Sequence, residues 1–183
     1  MNIGIDMMGG DFAPLEAVKG VQQYLSSSEN HLYCIGDETQ LNALFREHGV
    51  SSPFLHIVPS TEVIGYNEHP TKALKEKPNS SISIGFHLLA TSKIDAFLSA
   101  GNTGAMLVGA MFSIKPIPGV LRPTIATLLP KLSGKTGLLV DVGLNADCKP
   151  EQLNQFGILG NLYAKHILNI ENPTVGLLNV GEE

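Results

Sequence analysis

Six consecutive residues, Ser99-Ala100-Gly101-Asn102-Thr103-Gly104, place two glycines, two hydroxyls and an amide between an apolar run, Ile94 to Leu98, and a stretch of small residues suited to a helix. The first turn of a helix has N–H groups without intrahelical acceptors and carries the positive end of the helix dipole. Glycines let that backbone come close to an anion, and Ser and Thr hydroxyls add donors. The chemistry this pattern could do is to cradle a phosphate. A glycine-rich turn with a capping Ser or Thr accounts for the spacing equally well. Met8-Gly9-Gly10-Asp11 follows the first apolar run in the same way, and there a plain strand-to-helix turn is the stronger local reading.

Other patterns exclude chemistry. Ser133-Gly134-Lys135-Thr136 looks like the end of a P-loop, but Leu129 stands where the earlier glycine is required. No G-x-G-x-x-G follows the first strand, and no G-x-S-x-G elbow is present. The six histidines show no H-x-x-x-H or H-E-x-x-H spacing, so no metal site and no cofactor are expected. Cys34 and Cys148 form no C-x-x-C motif, and two thiols without a leader-like N-terminus suit a reducing cytoplasm. Basic residues gather as Lys72, Lys75 and Lys77 and as Lys115, Arg122, Lys131 and Lys135. Such runs suit a solvated face, or a docking surface for an acidic partner.

The elements that must position these loops alternate. Strands are expected at Asn2 to Asp6, Leu32 to Ile35, Phe54 to Val58, Ile94 to Leu98, Thr124 to Leu129, Leu138 to Val142 and Thr174 to Val180. Helices are expected after Pro14 (Leu15, Val18, Val21, Leu25), after Asp37 or Thr39 (Leu41, Leu44, Phe45, His48) and after Ser80-Ser81 (Ile82, Phe86, Leu89). Two more follow, from Thr103 to about Phe112 and from Pro150 (Leu153, Phe156, Leu159, Tyr163, Ile167). Residues 60–79 read as an irregular loop with one helical turn near Lys72 to Lys75. The short link between Leu129 and Leu138 makes that strand pair a candidate antiparallel hairpin. Near-continuous apolar strands alternating with helices imply an α/β fold: a mostly parallel sheet, three-layered and Rossmann-like, with helices on both faces. The chain, 183 residues, reads as one such domain, 1–183.

Composition agrees. At 43% hydrophobic and 16% charged the chain suits a globular protein, and a net charge of −5 argues against nucleic acid as the partner. The 19 glycines are not scattered. Gly9-Gly10, Gly36, Gly101 and Gly104, Gly143 and Gly181 each follow the carboxyl end of an expected strand, the edge where open α/β sheets bind ligands. Asp6, Asp11, Asp141, Asp147 and Glu182 gather at that edge too, and some of these acids are caps.

Four segments in order resemble the signatures of the bacterial phosphate acyltransferases of the PlsX family. They are Asp6-Met7-Met8-Gly9-Gly10-Asp11, Ser99 to Ala105, Asp141 to Cys148, and Leu177-Leu178-Asn179-Val180-Gly181-Glu182-Glu183, with Ala73-Leu74-Lys75 and Ser80-Ser81 between the first two. Lys75 stands where an Arg is frequent, and Leu144 where an Ala is frequent. The resemblance implies an isopropylmalate-dehydrogenase-like fold and transfer of an acyl group from acyl-[acyl-carrier protein] to inorganic phosphate, which feeds phospholipid synthesis. It implies a homodimer in the cytoplasm, peripheral association with the inner face of the membrane, and a chain that is the first part of a longer one. Phosphate is itself a nucleophile and a thioester a good electrophile, so such an enzyme has to position its reactants and stabilise an oxyanion. Ser99, Gly101, Asn102, Thr103 and Gly104 are then expected to contact phosphate or the oxyanion. Gly9, Gly10 and Asp11 are expected to line the same cleft with Asn145 and Asp147 opposite. Lys75 is expected to meet the anion or the acidic carrier protein, and Gly181 and Glu182 to close the last site motif. Asn102, Thr103, Asp11, Asn145 and Asp147 are the catalytic candidates among these.

Overall fold

The structure is a computed structural model that describes residues 1–143, 145 and 147–179. The chain falls into two compact units, Met1–Lys115 and Pro116–Glu183, and each is described by itself.

In the first unit β1 (Asn2–Asp6), β2 (His31–Gly36), β3 (Leu55–Pro59) and β4 (Ala96–Leu98) form a parallel sheet in the order β3-β2-β1-β4. Alternation sorts the side chains. Ile3 and Ile5 pair with Leu32 and Cys34, which pair with Leu55 and Ile57, and all share one face. Helices α1 (Leu15–Leu25) and α2 (Glu38–Glu47) cover it, sending Val18, Val21, Leu41 and Phe45 into a core with Leu32, Cys34 and Met7. Across the sheet, α3 (Pro70–Glu76), α4 (Ser81–Ala90) and α5 (Thr103–Ser113) build a second core from Ala73, Ile82, Phe86 and Ala105, with Phe97 of β4 packed against it. The unit is therefore a three-layered α/β sandwich, as the sequence predicts.

The expected caps hold the helices. Asp37 accepts from the Gln40 N–H at 2.8 Å, and the Ser80 hydroxyl accepts from the Ser83 N–H at 3.3 Å. Residues 70–76 form a full helix where the sequence suggested one turn, because Pro70 at its first position presets the backbone. The chain steps from β1 to β2 to β3 and then returns to the other side of β1 for β4. That makes a topological switch point between β1 and β4, and the ligand site of an open α/β sheet lies beyond the strand ends at such a point. The loops that leave β1 and β4 are the two glycine-rich segments.

In the second unit β5 (Ala126–Pro130) and β6 (Thr136–Val140) form the antiparallel hairpin, with Leu128 opposite Leu138. Helix α6 (Pro150–His166) buries Phe156 and Ala164, whereas Leu153, Tyr163 and Ile167, expected on its inner face, are exposed. The strand expected at Thr174 to Val180 is a correction. Residues 174–178 enter no ladder with another described strand, and Val175, Leu177 and Leu178 stand in solvent. A strand exists only through its partner, so apolar composition alone does not make one. Val180 lies outside the described residues. Among the described residues no helix is long and apolar enough to cross a membrane.

Candidate anion site at the strand ends

The sequence puts a carboxylate at the last position of β1, and the fold makes it a hub. Asp6 is 4% exposed. Its Oδ1 accepts from the Met8 N–H at 3.0 Å and the Gly9 N–H at 3.2 Å, which curls the first glycine loop back onto the strand. Its Oδ2 accepts from the Ser99 hydroxyl at 2.7 Å, and that same hydroxyl accepts from the Gly101 N–H at 2.9 Å. One buried side chain thus ties two loops that are far apart in sequence. Charge-assisted bonds of this kind are among the stronger hydrogen bonds in proteins.

The loops touch through bare backbone. A Cβ on Gly9 would stand 2.6 Å from the Gly101 nitrogen and 2.6 Å from Asp6 Oδ2, so no side chain fits. Gly10 has φ +107°, a left-handed backbone that favours glycine. Beyond the contact lies an open cleft of about 480 Å³ lined by Asp6, Gly9, Gly10, Asp11, Ser99 and Ala100. Its remaining wall is apolar except for Glu16 and includes Phe12 and Leu98, respectively 75% and 55% exposed.

Asn102 caps α5: its Oδ1 accepts from the Ala105 N–H at 2.9 Å. Its amide donates to the carbonyls of Gly65 at 3.0 Å, Tyr66 at 3.3 Å and Glu68 at 3.3 Å. Both ends of the side chain are used within the protein, so Asn102 acts here as cap and clasp. The Glu68 carboxylate accepts from the Lys77 ammonium at 2.6 Å and from the Gly65 N–H at 2.6 Å. These two donors, Lys77 first, hold its carboxyl below the ordinary range. The N–H groups of Thr103 and Gly104 meet no acceptor among the described residues. Gly104 packs its α-carbon against the Pro70 ring, which gives this glycine a packing reason.

The second unit carries its own polar knot. Asp141 Oδ1 accepts from the Thr124 hydroxyl and from the Asn145 amide, each at 3.0 Å, and Oδ2 accepts from the Asn145 N–H at 3.1 Å. The Arg122 guanidinium donates to Asn145 Oδ1 at 3.3 Å and to the Asp147 carbonyl at 3.2 Å.

Of the expected site residues, Gly9, Gly10, Asp11 and Ser99 share one cleft, with Gly101 at its back. Thr103 is exposed at the start of α5, and Lys75 is exposed on α3. Asn145 and Asp147 belong to the second unit's knot, and Gly181 and Glu182 lie outside the described residues. The residues that hold these loops, Asp6, Asp141 and Arg122, are not among the expected site residues. The signal for Asp6 was its place between a buried strand and two glycines, where a short carboxylate can accept from N–H groups two and three residues on. Among the described residues no cluster of His, Cys, Asp and Glu could hold a metal ion.

A doubly wound α/β unit with backbone-lined loops at its switch point defines a class, the open-sheet α/β proteins, whose ligand sites lie at their strand ends. The comparisons narrow it. The chain belongs to the family described as fatty acid synthesis protein, whose model matches residues 1–183. It is 46% identical over its whole length to a phosphate acyltransferase of Halothermothrix orenii, covering 55% of that protein. It is 45% identical to the phosphate acyltransferase of Thermoanaerobacterium thermosaccharolyticum, covering 54% of it. The chain spans about half the length of the curated relatives it matches. Among solved structures, the EutD phosphotransacetylase from Staphylococcus aureus superposes with a TM-score of 0.64 over 90% of this chain and 52% of that one, at 16% identity. That likeness is one of fold.

Proposed function

We propose that this protein is the phosphate-handling part of an acyltransferase that moves a fatty acyl group from acyl-[acyl-carrier protein] to inorganic phosphate, giving acyl phosphate for phospholipid synthesis. The observation that carries the reading is the junction of the two glycine loops on Asp6, which opens onto a cleft with a backbone-lined wall and an apolar wall. The relatives' name, phosphate acyltransferase, supports acyl transfer to phosphate.

In this reading phosphate lies against the glycine loops and the first turn of α5. Thr103 and Gly104 offer N–H groups, and Ser99, Gly101 and Gly9 shape the backbone around it. A phosphate oxygen attacks the thioester carbonyl carbon. The new C–O bond forms as the C–S bond breaks, and the electron pair leaves on sulfur. No enzyme nucleophile is needed; N–H donors at the carbonyl oxygen stabilise the charge that develops there. Asn102 holds the donors in place, and Asp11 borders the cleft. Lys75 supplies positive charge for anions, and in the second unit Asn145 and the Asp147 carbonyl fix Arg122. Gly181 and Glu182 complete the reading as further binding residues. The enzyme works as a homodimer in the cytoplasm, at the inner face of the membrane, with the acidic carrier protein as its donor.

The test isolates one donor. A proline is tolerated at the first position of a helix, and Asn102 already has the extended backbone that precedes proline (φ −62°, ψ 110°). Thr103→Pro in the complete protein therefore removes an N–H with little strain. The KM for phosphate is expected to rise about tenfold or more, the scale of a lost hydrogen bond to a charged group, with Thr103→Ala as the control for the hydroxyl. An unchanged KM for phosphate overturns the site. A second reading, an acyl-CoA donor, is favoured by the fold shared with a phosphotransacetylase. Side-by-side kinetics with acyl-CoA and acyl-carrier protein separate the two.

A further inference from the structure

The apolar wall of the anion cleft does not stop there. It continues along the face where α1 crosses the sheet, as a second hollow of about 240 Å³ lined by Ile3, Ile5, Ala17, Gly20, Val21 and Leu98. The two hollows share Ile5, Ala17 and Leu98, so they form one trough. Polarity changes along it. The end at the glycine loops has Asp6, Asp11, Ser99 and bare backbone, with Glu16 on α1. The far end has no charged side chain, and its single polar group, the Tyr24 hydroxyl, accepts from the Asn30 amide at 2.7 Å. From Ala17 to Tyr24 the helix advances about 10 Å.

One residue on α1 has no local reason for its identity. Gly20 sits in mid-helix with ordinary helical backbone, and nothing lies within 4 Å of where its Cβ would stand. A mid-helix glycine weakens a helix relative to alanine. Neither conformation nor packing asks for glycine here. What its missing side chain does is leave the trough open.

We propose that this trough holds the hydrocarbon chain of the acyl group, with the reacting carbonyl at the glycine loops and the chain running past Gly20 towards Tyr24, so that Gly20 sets the chain length accepted. The proposal rests on the acyltransferase reading above. It follows from continuity: a single ligand that reacts at the polar end and buries an unbranched apolar tail matches the change in lining from backbone and carboxylate to Ile, Val, Ala and Leu. Each methylene taken out of water strengthens binding by about fourfold, so donors should improve with length until the chain passes the trough.

The test uses the complete protein with butanoyl, decanoyl and palmitoyl donors on acyl-carrier protein. Gly20→Leu is expected to lower the palmitoyl-to-butanoyl ratio of kcat/KM by about tenfold or more, and Gly20→Ala by a smaller factor in the same direction. Both substitutions suit a helix, and Gly20→Ala adds one methyl in open space, so the milder variant reads the effect even where the larger one folds poorly. A ratio unchanged in both variants, while wild type transfers acyl groups to phosphate, overturns the trough and leaves the acyltransferase reading standing. A change of oligomeric state with an unchanged ratio also overturns it, because the trough is then covered by protein. Wild type that transfers no acyl group from any donor overturns both readings together.

Discussion

Asp6 ends β1 and Asp141 follows β6, and each gathers the donors of the loop that comes after it. Asp6 takes two loop N–H groups and the hydroxyl of Ser99. Asp141 takes one loop N–H, the amide of Asn145 and the hydroxyl of Thr124. The wiring is alike, and the surroundings differ. Asp6 is almost fully buried beneath backbone packed on backbone, whereas Asp141 is half-buried beside an exposed arginine. Burial decides what the same set of hydrogen bonds is worth. Water replaces the partners of Asp141 more readily than those of Asp6, whose carboxylate is itself almost fully buried.

The largest expected effect follows from that difference. Asp6→Ala strands three half-buried donors and should cost about 3 kcal/mol of stability, while Asp141→Ala should cost about 1 kcal/mol. Urea unfolding of the two variants measures the gap, and equal losses would break the comparison. Acyl-phosphate formation should fall further in Asp6→Ala. The glycines of the two loops give the next contrast. Gly9→Ala forces a methyl into the Gly101 backbone and should cost about 2 kcal/mol through displacement of the loops. Gly143 has φ +73° with nothing among the described residues within 4 Å of the Cβ position, so Gly143→Ala should cost about 1 kcal/mol of backbone strain. Thermal unfolding separates the two, and a crystal structure of Gly9→Ala should show the loops moved apart.

The smallest effect concerns the thiols. Burial pushes the Cys34 thiol up to about 12 from 9.0, while Cys148 is only partly covered. The thiolate is the reactive form, so a thiol reagent at neutral pH should label Cys148 in seconds to minutes and Cys34 only after unfolding. The sign for stability is that of a raised acid: the neutral buried thiol contributes fully below pH 9.0, and that contribution is lost as the pH climbs towards about 12. A Cys34→Ser variant should flatten this alkaline loss.

Much of this was legible in the chain. The run Asn2 to Asp6, the caps at Asp37 and Ser80 and the start of α5 at Thr103 all come from local chemistry, and the structure keeps them. What was not legible depends on partners distant in sequence. Asp6 became a hub only because Ser99, 93 residues on, falls beside it. Gly104 reads as part of an anion loop, yet the Pro70 ring against it needs the fold to be seen. The sequence suggests a capping Ser or Thr in this loop, whereas Asn102 caps α5, and its hold on the carbonyls of Gly65, Tyr66 and Glu68 was not legible either. The apolar run from Thr174 misled because composition says nothing about whether a neighbouring strand is there to pair with.

The bond between Ser99 and Asp6 joins the first strand of the sheet to the last. Its closure needs β1 and β4 to pair across a separation of 93 residues, and contacts of such separation are slow to form. The glycine loops are therefore complete only once β1 and β4 have paired. An anion held there binds the native chain and not its partly folded forms, so at a concentration a hundredfold above its Kd it would stabilise the fold by about 2.7 kcal/mol. Occupancy of the cleft by its ligand would then protect the folding chain as well.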